Sequence, residues 1–91
     1  MVTVIVQHEV RDFADWKKIF DGDEPSRAKG GVKLEGLYSS VGNPNDVTMI
    51  FSAPDASSFE IMMDDPKRQE AMKEAGVIGA PSVGVLNRVE L

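Results

Sequence analysis

The chain has 91 residues, 42% hydrophobic and 27% charged, which fits one globular domain over residues 1–91 and argues against wholesale disorder. A net charge of −5 with a pI near 4.7 makes nucleic acid an unsuitable partner, and the absence of cysteine excludes disulfides, thiolate zinc sites and a cysteine nucleophile. Its longest apolar runs fall far below the ~20 residues that cross a bilayer, and the N-terminus lacks the pattern of a signal peptide, so a cytoplasmic protein without a membrane partner is expected.

Val2 to Val10 reads as a strand. Val2, Val4, Val6, His8 and Val10 share one face, and Thr3, Ile5, Gln7 and Glu9 share the other. Asp12 then caps a helix whose apolar stripe is Phe13, Trp16, Ile19 and Phe20. Pro25 opens a short helical turn that Gly30-Gly31 ends. Val32 to Val41 reads as a second strand, with Val32, Leu34, Gly36, Tyr38 and Ser40 on one face. Gly42 to Asp46 has the chemistry of a turn, and Val47 to Ala53 completes an antiparallel hairpin.

A second helical region starts near Pro54-Asp55, with Phe59, Met62 and Met63 as its apolar contacts. Asp64-Asp65-Pro66 breaks it; Asp65 caps a new segment that begins at Pro66 and carries Ala71, Met72 and Ala75. Gly76 ends that helix. Gly79-Ala80-Pro81 reads as a connector, and Val83 to Val89 as the last strand.

The order strand, helix, strand, strand, helix, strand is the βαββαβ pattern of a ferredoxin-like α+β fold. It implies a four-stranded antiparallel sheet with helices on one face only. Neither strand parity is cleanly polar: Val4, Val6, Tyr38, Met49, Phe51 and Val85 make one apolar set, and Ile5, Leu37, Ile50 and Leu86 the other. A bare apolar sheet face is seldom kept by a monomer, so a homodimer with the two sheets packed face to face is expected.

The strand ending in His8-Glu9-Val10, the run from Asp12 to Asp21, the turn Asn43-Pro44-Asn45-Asp46-Val47 and the run from Ala75 to Pro81 resemble the dimeric α+β barrel superfamily. That superfamily includes the antibiotic-biosynthesis monooxygenase-like and stress-responsive barrel families, and the similarity spans almost the whole chain. It looks closest to small stand-alone members of uncharacterised function. The resemblance implies a homodimer with a pocket between the sheet and the helices of each subunit. Its enzymatic members include cofactor-independent oxygenases of polyketide-like aromatics, haem-degrading oxygenases and small isomerases. The haem-degrading members use Asn, Trp and His together. Trp16 and His8 do not reproduce that layout, so those roles are not transferred and no cofactor is expected.

His8, the only histidine, suits a general base because an imidazole changes charge near neutral pH; the bland alternative is a hydrogen-bonded strand-end histidine. With no second histidine and no cysteine, no metal site is expected. Tyr38 offers a phenol to a substrate oxygen, or else is an interface aromatic. Trp16, Phe20, Phe51 and Met63 are candidate pocket walls, with core packing as the competing role. Arg27 either pairs with an anion or is a solvated side chain. Two functions therefore stand: a small-ligand-binding or accessory protein for an apolar or aromatic molecule, and a cofactor-independent monooxygenase or cyclase/isomerase acting on a small aromatic or lactone. In the second, His8 removes a proton and Tyr38 orients an oxygen, because an oxygenase without a cofactor must reduce dioxygen with the substrate's own carbanion. A purely structural interaction module is a third possibility.

Overall fold

Four β-rich stretches and two broken helical stretches set the architecture of the protein, a computed structural model that describes residues 1–90. The strands are β1 (Val2–Val10), β2 (Lys33–Ser40), β3 (Asn43–Ala53) and β4 (Val77–Leu86). They form one antiparallel sheet in the order β2-β3-β1-β4. The helices are α1 (Phe13–Gly22) and α2 (Glu24–Lys29) in the first crossover, and α3 (Ala56–Asp64) and α4 (Pro66–Glu74) in the second. This is the ferredoxin-like α+β fold expected from the element order, with each crossover helix divided in two.

Capping residues explain the divisions. The Asp12 side chain accepts the Asp15 N–H at 3.1 Å and starts α1; Asp55 accepts the Ser58 N–H at 2.7 Å and starts α3. Asp65 accepts the Lys67 N–H at 3.0 Å, and Pro66 opens α4, since a first-turn proline loses no helical hydrogen bond. Gly76 follows α4 with φ +87°, a conformation that an L side chain resists.

Alternation along β1 and β3 builds the core. Val4, Val6, His8 and Val10 are buried against the helices, as are Val47, Met49, Phe51 and Ala53. Trp16 of α1 and Phe59 of α3 close this layer from above, at 3% and 1% exposure. The opposite sheet face carries no helix. Ile5 pairs with Ile50 at its centre, and Gly36 and Gly84 flank that pair on the outer strands.

Several sequence expectations are corrected by the structure, among them that Leu37 shares a face with Ile5 and Ile50. Tyr38 does not share a face with Val4, Val6, Met49 and Phe51. The β2–β3 register shifts between Leu34 and Gly36, so one extra residue turns Leu37 toward the helices and Gly36 and Tyr38 away from them. Tyr38 is 58% exposed there, its ring lying over Gly36, where an added Cβ would approach within 2.8 Å. The run Asn43 to Asp46 is the start of β3, not a turn; Val41-Gly42 makes the turn. Pro44 is tolerated because it lies outside the residues that β3 pairs with β1, and it opposes none of those paired on β2. The Asn45 amide is used elsewhere: it accepts the Phe13 N–H at 3.0 Å and donates to the Arg11 carbonyl at 3.4 Å, pinning the start of α1.

The supposed connector Gly79-Ala80-Pro81 belongs to β4. Gln7 pairs with Ser82 and Glu9 with Ile78, so those three residues stand opposite His8 alone. They form an edge-strand bulge, where a proline and the positive φ of Gly79 are both tolerated. The strand ends at Leu86 rather than Val89.

Candidate functional site

Between the sheet and the helix layer lies a cavity of about 240 Å³, partly open to solvent. Its floor is Val6 and His8 of β1 with Met49 and Phe51 of β3. Trp16 and Phe20 of α1 form one wall; Phe59, Met62 and Met63 of α3 form another. Close-packed interiors leave few voids larger than a water, so a space of this size has local causes. The helix break at Pro66 separates α3 from α4, and beyond Arg68 at the cavity edge the α4 side presents Ala71, Met72 and Ala75. Two of those three residues are alanines, too small to fill the gap. Exposed Ile19 and Gly22 place the opening at the C-terminal end of α1.

The aromatic walls are ordered against one another. Trp16 stacks on Phe20 with ring centroids 4.7 Å apart, and Phe51 lies 6.3 Å from Phe20 and 6.2 Å from Phe59. Such offset and tilted contacts fix ring orientation as well as burying area.

His8 is the polar group of the floor. It is 7% exposed, meets Trp16 edge-on at 5.5 Å, and its buried Nδ1 has no hydrogen-bond partner. Burial lowers its pKa below the ordinary 6.5; its own backbone carbonyl and the charge of Asp46 oppose that shift without overcoming it. The imidazole is therefore neutral at pH 7. The β1–β4 bulge lies at this residue, a common position for irregularities beside functional side chains.

A stability consequence follows. The unfolded chain takes up this proton near pH 6.5, whereas the folded chain takes it up only at lower pH. The stabilisation is complete above about pH 6.5 and is lost as pH falls through the lowered native value. Denaturant midpoints measured from pH 7.5 to 5.5 should fall in the natural protein and fall less in His8→Gln. Equal slopes in the two proteins would remove this role from His8.

A charged cluster borders the same cavity. Arg27 is 4% exposed; its Nη1 donates to the Phe20 carbonyl at 2.9 Å, and its guanidinium sits 3.9 Å from the centre of the Phe20 ring. The Arg27 Nε is buried without a partner. Asp23 lies 3.7 Å from Arg27 and is hydrogen-bonded by Arg68 of α4, which also donates to Ser26 Oγ at 3.0 Å. Asp23 thus ties the α1–α2 junction to α4. The solvated role considered for Arg27 is wrong, because the ring and carbonyl of Phe20 draw its side chain inward.

Of the residues singled out in the sequence, His8, Trp16, Phe20, Phe51 and Met63 line the cavity, and Tyr38 does not. Tyr38 is on the helix-free face, so it cannot orient an oxygen for His8. Arg68 and Met49 were not anticipated as cavity residues. Met49 is legible in the sequence, since it shares the parity of Phe51; Arg68 is not, because its position depends on how α4 packs against the α1–α2 junction. Among the described residues no cluster of three histidine, aspartate or glutamate side chains is arranged to hold a metal ion, and no helix is long and apolar enough to cross a membrane.

No family model matches the chain, and no curated protein matches it by sequence. Solved structures do match. The structure of an antibiotic biosynthesis monooxygenase is 15% identical, with a TM-score of 0.74 over 99% of this chain and all of that one. SnoaB, a cofactor-independent oxygenase from Streptomyces nogalater, is also 15% identical, with a TM-score of 0.74 over 99% of this chain and 94% of that one. An uncharacterized NIPSNAP domain protein from Burkholderia xenovorans is 15% identical, with a TM-score of 0.69 over 98% and 95% of the two chains. At these identities the likeness is one of architecture, and this chain has the fold of the antibiotic biosynthesis monooxygenase-like proteins.

Proposed function

We propose that the protein binds a small planar apolar molecule in the cavity between its helices and its sheet. The observation that carries this reading is the cavity itself, about 240 Å³ walled by aromatic rings and methionines around one neutral imidazole. An apolar cavity of ~150 Å³ accommodates benzene, and drug-sized ligands use ~300–1,000 Å³, so this space suits a fused bicyclic ring. The unbranched methionines adapt their shape to such a ligand.

Thermal unfolding with naphthalene-sized aromatics tests the proposal. A ligand at a hundred times its Kd stabilises by about 2.7 kcal/mol, which raises the Tm of a domain this size by about 11–22 °C. Ala71→Phe places a ring in the cavity and should abolish the rise. A rise that persists in Ala71→Phe, or no rise with any such aromatic, contradicts the proposal.

The unpartnered Nδ1 of His8 favours a second reading, in which bound substrate loses a proton to His8 before oxygenation or isomerisation. The description of SnoaB as a cofactor-independent oxygenase supports it. Product formation that is absent in His8→Ala would establish this chemistry; turnover unchanged by that substitution would exclude His8 as the base.

The same protein is proposed to form a homodimer through the helix-free sheet face. Ile5, Ile50, Tyr38 and Leu86 lie on that face, with Tyr38 58% and Leu86 46% exposed. Thr3, Gln7, Thr48 and Ser52 surround them, giving an apolar centre and a polar rim.

A further inference from the structure

We infer that the occupant of the cavity is an aromatic carboxylate, its ring beside Trp16 and Phe20 and its charge met by Arg27 and Arg68. The inference rests on the proposed ligand-binding role and adds the chemistry of the ligand. Three lining residues carry charge: Arg27, Arg68 and Asp23. Two guanidiniums therefore share a single carboxylate. Arg68 holds that carboxylate directly, while Arg27, 3.7 Å away, is beyond hydrogen-bond distance of it.

Arg27 is the under-served cation. It is 4% exposed and its Nε is buried without an acceptor. A cation removed from water is retained at least cost when an anion and acceptor oxygens reach it. The Phe20 contacts would be enough for a purely structural strut between α1 and α2. They leave the Arg27 Nε without an acceptor. A planar guanidinium matches a carboxylate through paired N–H donors, and the aromatic lining suits an anion carried on a ring. Asp21 and Glu24 also act on Arg27, but they line the neighbouring groove rather than the cavity. His8, neutral at pH 7, adds no charge of its own.

The test compares 2-naphthoate with its neutral isostere 2-naphthamide on the intact protein. The indole N–H of Trp16, the only tryptophan, reports binding in an ¹H–¹⁵N spectrum that also confirms folding. Naphthoate should bind about tenfold tighter than naphthamide, as expected for one charge-assisted contact. In Arg68→Gln, at the cavity edge with 12% of its side chain exposed, the ratio should fall towards one. Naphthamide binding as tightly as naphthoate overturns the charge assignment and leaves the ligand-binding role standing. A ratio undiminished in Arg68→Gln also overturns that assignment. Binding of neither compound overturns both.

Discussion

Phe59→Ala is expected to destabilise the protein by about 3–5 kcal/mol, the range for truncating a buried phenylalanine. Phe59 is 1% exposed, and its ring sits 6.2 Å from that of Phe51, across the junction of α3 with the sheet. It also borders the cavity, so the space left by its ring merges with a void that packing has not closed. Collapse around the missing ring is consequently limited, which places the loss in the upper part of the range. A domain of this length holds ~5–14 kcal/mol in total, so the substitution removes a large share of its stability. Urea unfolding checks the value. A loss below about 1 kcal/mol would mean that α3 is not anchored through this ring.

The second large effect concerns assembly. Ile5→Glu combined with Ile50→Glu should convert the proposed dimer to a monomer, because the two side chains face each other at the centre of the helix-free face. Two such pairs from two copies would bring four carboxylates into a desolvated interface, where like charges repel and lose hydration. Gly84 beside this pair adds no bulk and has open space above it, so a partner's side chains can approach the sheet closely there. Sedimentation equilibrium at micromolar concentration should give twice the chain mass for the natural protein and one chain mass for the double variant. A monomeric natural protein would contradict the proposed dimer. The pair points away from the cavity, so binding of an aromatic ligand provides an independent check that the variant remains folded.

Residue patterns explain why much of this architecture is readable and where reading stops. Asp12, Asp55 and Asp65 mark helix starts through local chemistry, since each cap bonds a backbone N–H two or three residues away. The aromatic and methionine walls follow from helical and strand periodicity. The errors lie where one strand slips against another. Tyr38 changes face because of a register shift five strand pairings from the hairpin turn, which local alternation cannot reveal. Asn43 to Asp46 carries turn residues, but Asn45 spends its amide on Phe13 and Arg11, far away in sequence. Gly79-Ala80-Pro81 has the composition of a loop and forms a bulge because only His8 stands opposite. Arg27 and Arg68 meet at Asp23 through tertiary packing of α2 and α4, a convergence that no spacing encodes.

The methionine methyl groups give the most direct test of the cavity as the functional site. Of the five methionines, Met49, Met62, Met63 and Met72 line it, whereas Met1 is 83% exposed at the chain start. With ¹³C-methyl methionine and a saturating bicyclic aromatic ligand, the four lining methyl resonances should shift and show contacts to ligand protons, while Met1 stays in place. Ligand contacts confined to Ile5, Ile50 and Tyr38, with the four methyl signals unmoved, would put binding on the other side of the sheet and contradict the assignment.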